Sequence, residues 1–160
     1  MRMPIELTYK GPSVSPSQLA DFEEKTGQKI PIPYKRFLLN HNGGRPKLSV
    51  FNFQGRRRKM DRSVVDGFFG VHDQEAFSLA LFLEISQGRI PPDLFPIAID
   101  DYGNLVLMGA RGPRAGKIYF WDHEFEGPDG EPPTQENVYF IAHSLDDFLS
   151  GLTELELPSQ

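Results

Sequence analysis

The second half of the chain sets four apolar, β-branched and aromatic runs in a row: Leu94 to Ile99, Leu105 to Met108, Lys117 to Trp121 and Asn137 to Ala142. Asp100-Asp101-Tyr102-Gly103-Asn104 joins the first two, a Gly- and Pro-rich turn from Gly109 to Gly116 leads to the third, and the long turn Gly127 to Thr134 precedes the fourth. Parallel neighbours need a crossover of about a dozen residues or more, usually a helix. These connections are made of turn formers instead. The four runs are therefore predicted to be an antiparallel meander.

The remaining elements are punctuated as clearly. In Val14-Ser15-Pro16-Ser17-Gln18-Leu19, Ser15 can cap a helix, Pro16 fits its first turn, Gln18 completes a capping box, and Val14 and Leu19 form a hydrophobic staple. That helix is predicted to bury Leu19, Phe22 and Thr26, expose Glu23, Glu24 and Lys25, and end at Gly27. A second short helix starts near Pro33 and stops at Asn42-Gly43-Gly44. Leu48 to Phe53 and Val64 to Gly70 read as a hairpin around the charged loop Gln54 to Arg62. Asp73 is the expected cap of a third, strongly apolar helix that carries Phe77, Leu79, Phe82 and Leu83, ends at Gly88 and is the most buried of the set. Ser144 caps a closing helix with Leu145, Phe148, Leu149 and Leu152 on one face.

Helices, hairpin, helix, meander and helix in that order are not the alternation of a parallel sheet. The fold class is α+β, a mainly antiparallel sheet with helices packed largely on one side and a partly open opposite face. One domain over 1–160 is expected, with its core at about 16–152. Phe22, Phe37, Leu38, Phe77, Leu83, Ile97, Leu107, Phe120, Ile141, Phe148 and Leu149 are the expected buried set.

Composition removes whole classes of chemistry. The chain has no cysteine, so disulfide scaffolds, thiolate metal sites and cysteine nucleophiles are excluded, and a reducing cytoplasm suits it. The longest unbroken apolar run, Leu79 to Leu83, is far too short to span a membrane, and the N-terminal residues lack the apolar stretch of a signal peptide. No nucleophile elbow, phosphate-binding loop or paired zinc-histidine motif occurs, so neither catalysis nor a cofactor or metal is expected. Asp100 and Asp101 sit beside Gly103-Asn104, where carboxylates hydrogen-bond a turn of their own backbone.

The net charge of -5 conceals a sharp asymmetry, because no Lys or Arg follows Lys117. Residues 1–117 carry +5 and residues 118–160 carry -10. Asp122, Glu124 and Glu126 recur at every second position, which in an extended segment puts three carboxylates on one side with His123 turned away. With Asp129, Glu131 and Glu136 they form an acidic rim suited to a basic protein partner, or else a solvated loop. Tyr119 and Trp121 share one side of their strand: on an open face they are interface anchors, and on a covered one they are core. The run Arg56-Arg57-Arg58-Lys59-Met60-Asp61-Arg62 could hold phosphates or an acidic protein surface, and the acidic C-terminal third argues against nucleic acid.

Several separate segments together resemble the SUKH superfamily. Leu19 to Gly27, then Ile32-Pro33-Tyr34-Lys35-Arg36-Phe37-Leu38-Leu39 to Pro46, are similar to that family's opening helix, proline, second helix and Gly-Gly turn. Phe95-Pro96-Ile97-Ala98 with Asp100, Gly103 and Asn104 matches its strand and turn. Ile118 to Glu124 and Ile141 to Leu149 match its last strand pair and helix. The resemblance implies an α+β binding module without catalytic residues, of the bacterial immunity-protein type, which neutralises a cognate toxin, often a nuclease, by binding it. The alternative within the same superfamily is a regulatory scaffold with an endogenous partner, as in fungal cell-wall regulators. The expected partner-binding residues are Tyr119, Trp121, Asp122, Glu124, Glu126, Asp129 and Glu131. The oligomeric state is left open.

Overall fold

The computed structural model describes residues 5–156. A two-residue strand β1 (Leu7–Thr8) pairs with β2 (Arg45–Pro46), bracketing the helices α1 (Pro16–Thr26) and α2 (Ile32–Asn40). The rest is a six-stranded, wholly antiparallel sheet in sequence order: β3 (Val50–Gln54), β4 (Met60–Phe68), β5 (Leu94–Asp100), β6 (Leu105–Gly109), β7 (Ile118–Trp121) and β8 (Val138–Ala142). Helix α3 (Leu79–Ser86) lies between β4 and β5, and α4 (Leu145–Ser150) follows β8. The α+β class and the meander are thus as the turn residues dictate.

Local signals built α1 as expected. The Ser15 hydroxyl accepts from the Gln18 amide at 3.2 Å, the Gln18 carboxamide accepts from the Ser15 amide at 2.8 Å, and Gly27 takes the left-handed C-terminal position with φ of 69°. Glu23, expected to be exposed, is buried instead. Its carboxylate accepts from the Ile30 amide at 2.8 Å and the Lys35 ammonium at 3.0 Å, tying α1 to α2. Burial alone would push this carboxyl up, but those two donors outweigh it and hold its pKa below the ordinary value.

The hairpin pairs further than its apolar residues suggest. Register continues to Gln54↔Met60, so the charged Met60 to Arg62 stretch is strand and only Gly55 to Lys59 turn. A ladder needs backbone partners, not apolar side chains, where a strand end faces water. The third helix also differs from expectation: its cap is Ser78, not Asp73, and it is not the most buried, with Leu81 and Ile85 exposed. Phe77 leaves the helical path with φ of 59° and packs its ring into the space that a Cβ at Gly67 would fill. Tertiary packing at Gly67 therefore delays the helix start.

On one face of the sheet, Phe68, Ala98, Val106 and Phe120 line up by register and meet α2 and α4. Phe37 contacts Phe68, and Phe148 contacts both Phe68 and Phe51. The edge strands curl toward each other until Phe53 of β3 stacks on Phe120 at 4.2 Å and approaches Tyr139 of β8 at 5.9 Å. Tyr34 is fully buried, and its hydroxyl donates to the carbonyl oxygens of Phe69 and Ile97, locking α2 to the sheet. Of the expected core, Leu83, Ile141 and Leu149 are half-buried against it and the other eight are buried.

Candidate partner-binding surface

The face expected to be open is closed. Register places Tyr119 and Trp121 with Leu107 and Leu105, opposite Phe120, yet both are buried, at 9% and 1% exposure. The covering comes from α3, whose Phe82 stacks on Phe69, and from two arginines. Arg89 lies over the Trp121 ring at 5.3 Å while its guanidinium makes paired bonds of 3.0 and 2.8 Å to Glu126. Arg114 lies over Tyr119 at 5.5 Å, bonded twice to Asp93, at 2.8 and 2.6 Å, and once to Gln135 at 3.0 Å. Each aromatic is thus capped by a guanidinium that a carboxylate holds in place through paired bonds, an arrangement that favours Arg over Lys.

Gly109 makes the second cap reachable. The turn after β6 folds back so closely that a Cβ on Gly109 would collide with the Arg114 carbonyl, and Gly116 donates to the Gly109 carbonyl at 2.8 Å. Tyr119 and Trp121 therefore stand as core rather than accessible anchors. Among the described residues, Phe140 is the aromatic of the β7–β8 pair that stays exposed, at 41%.

The acidic segment also departs from an extended row. Asp122 caps a single 3-10 turn, His123–Phe125, accepting from the Glu124 amide at 3.0 Å, so the three alternating carboxylates do not share one side. Burial pushes the Asp122 carboxyl up. Glu126 is spent on Arg89, whose bond holds its pKa below the ordinary value of 4.5; Arg114 does the same to Asp93, whose ordinary value is 3.8. Glu124, Asp129, Glu131 and Glu136 are exposed. The loop bearing them is fixed at Glu126 by Arg89 and near its far end at Gln135 by Arg114. Neither arginine was legible as a partner of this loop, since each lies tens of residues away with no local spacing to mark it.

Asp100 is a structural hub. Buried, it accepts from the Ser63 hydroxyl at 2.7 Å, from the amides of Tyr102 and Asn104 at 2.8 Å each, and from the Asn104 side chain at 2.9 Å. Asn104 in turn accepts from the His123 amide at 3.0 Å, and the His123 ring meets the Tyr102 carbonyl at 2.9 Å. Its carboxylate capacity is used by this turn, which leaves it no free oxygen for acid–base work. Asp101 is raised by its own burial and by the neighbouring Asp66 and Asp100 carboxylates. Among the described residues no group of His, Asp or Glu is arranged to hold a metal ion, and no helix is long and apolar enough to cross a membrane.

One juxtaposition was invisible in the sequence. The tip of the β3–β4 hairpin folds onto the start of the acidic segment, with Arg56 over the Phe125 ring at 3.9 Å.

With α2 and α4 on one face of the antiparallel sheet, α3 on the other and the acidic loop clasped by Arg89 and Arg114, the chain belongs to the SMI1/KNR4 family (SUKH-1), whose model matches residues 13–151. It is similar to the SPbeta prophage-derived uncharacterized protein YokK of Bacillus subtilis (strain 168), 26% identical over 158 residues, covering 89% of this chain and 77% of that protein.

Proposed function

We propose that this protein is an immunity-type binding module that neutralises a cognate bacterial toxin by occupying it, without catalysis of its own. The observation that carries the reading is the acidic loop: it holds no Lys or Arg of its own, is fixed by two arginines from elsewhere, and presents Glu124, Asp129 and Glu131 to solvent. A pre-ordered carboxylate array loses little entropy on binding and steers a basic surface, such as a nuclease cleft built for phosphates, into contact. Membership in the SUKH-1 family and similarity to a prophage-derived protein support this reading. Asp122 and Glu126 shape and anchor the loop, while Tyr119 and Trp121 support it from beneath.

The test is a pull-down from the native host with the tagged full chain. The captured partner, expressed alone, should stop growth, and co-expression with this chain should restore it. A partner that is harmless when expressed alone would move the chain to the regulatory-scaffold reading.

A further inference from the structure

We propose a second recognition surface, of opposite sign, at the hairpin tip: a groove that takes an extended protein segment carrying carboxylates beside apolar side chains. The groove, about 550 Å³, opens between the tip of β3–β4, the β5–β6 turn and the 3-10 turn after β7. Its floor is the stacked pair Phe53 and Phe120 with Tyr139 beside them. Its rim exposes Met60 at 71%, Tyr102 at 74% and Phe125 at 44%.

Three observations select the occupant. First, Arg56, Arg57, Arg58, Lys59 and Arg62 are crowded at the tip, and among the described residues none has a carboxylate at ion-pairing distance. Elsewhere Arg45, Arg89 and Arg114 are all paired. Unpaired, crowded cations repel one another, and an acidic partner removes that repulsion.

Second, the backbone bends through Arg57 and Arg58, with φ of 60° and 58°. Glycine or asparagine would adopt this conformation with less strain. A turn needed only for reversal gains nothing from two arginines there, so the strain points to a use for the side chains. Third, the Tyr139 hydroxyl beside the floor is buried without a hydrogen-bond partner. Uncovered by a small shift of the rim as an occupant enters, it would donate to a carboxylate or backbone carbonyl.

The same geometry argues for protein over nucleic acid. The floor rings are stacked on each other and buried, so they offer no free face to a base, and Asp61 and Asp122 on the groove wall oppose a continuous phosphate backbone. Exposed Tyr, Met, Phe and Arg together are the residues that protein interfaces favour. This surface is separate from Asp129 and Glu131, touches the acidic segment only at the turn that carries Phe125, and does not rest on the toxin reading.

The test is selection of a displayed random dodecapeptide library on the immobilised full chain. Sequences that place Asp or Glu next to Leu, Phe or Tyr should enrich, and the enrichment should vanish on the triple variant Arg56→Glu, Lys59→Glu, Arg62→Glu. It should survive on the double variant Asp129→Lys, Glu131→Lys. Synthesised as a free peptide, the leading sequence should bind the parent at least tenfold tighter than the triple variant, and should shift the amide resonances of Lys59, Tyr102 and Phe125. A thermal melt unchanged from the parent establishes that the triple variant is folded. Enrichment of neutral or basic sequences, equal enrichment on the triple variant, or displacement of the peptide by single-stranded oligothymidylate at equal concentration would overturn the proposal.

Discussion

The two sides of β7 bury aromatic residues by different means. On one side Phe120 is sealed by other rings: Phe53 stacked on it, Phe51 at 5.9 Å, and Phe148 of α4 behind Phe51 at 5.5 Å. On the other, Tyr119 meets one ring edge, that of the exposed Phe140 at 5.9 Å, and both Tyr119 and Trp121 lie under arginines that stay in partial contact with water and are held by carboxylates. The first kind of burial depends on volume and hardly on pH. The second also depends on charge, which makes it a lid that the surroundings can loosen, and it attaches the acidic loop to the sheet.

The contrast can be broken by removing one member from each side. Phe120→Ala should cost about 3–5 kcal/mol in chemical denaturation, because a large ring leaves a closely packed cluster that cannot collapse. Arg89→Ala should cost far less, about 1–2 kcal/mol, since a half-exposed ion pair and a cation–ring contact are each worth about 1 kcal/mol or less. Its signature is spectroscopic: Trp121 is the sole tryptophan, so its emission should move to longer wavelength while the fold persists. Equal destabilisation by both substitutions would mean that the arginine side is core in the same sense as the phenylalanine side.

Acid should sharpen the comparison. Glu126 and Asp93 titrate below their ordinary values in the folded chain because of Arg89 and Arg114. Their stabilisation is therefore complete above the unfolded values, near pH 4 to 4.5, and is lost as pH falls through the lower folded ones. Asp122, pushed up by burial, acts in the opposite sense and offsets part of that loss. Trp121 emission should accordingly shift below about pH 4 before global unfolding, and Glu126→Gln should remove the Glu126 contribution to that step. A shift coincident with unfolding, or one unaltered by Glu126→Gln, would separate the lid from these carboxyls.

The smallest effect on stability is expected at the exposed carboxylates. Glu124→Lys, Asp129→Lys and Glu131→Lys together should stay within roughly 0.5 kcal/mol per site. Against the partner found by pull-down they should slow association markedly and change dissociation little, and added salt should mimic them on the parent. Unchanged association kinetics would take the primary interface away from this loop.

The sequence by itself determined the elements whose causes are local. The capping box at Ser15, the left-handed Gly27, the turn around Asp100 and the cap at Ser144 are all interactions within a few residues, so the residues there are sufficient to specify them. Connections built of turn formers likewise dictated the order of β5 to β8, whereas the pairing of β4 with β5 across α3 was left to the tertiary structure. What only the tertiary structure decided involves partners far apart in the chain. Glu23 is buried because Lys35 and Ile30 meet it, α3 starts late because Gly67 admits Phe77, and Trp121 is core because Arg89 and Glu126 close over it. Periodicity reports which side of a strand a residue occupies; whether that side faces water depends on what the rest of the chain lays over it, and that is a property of packing.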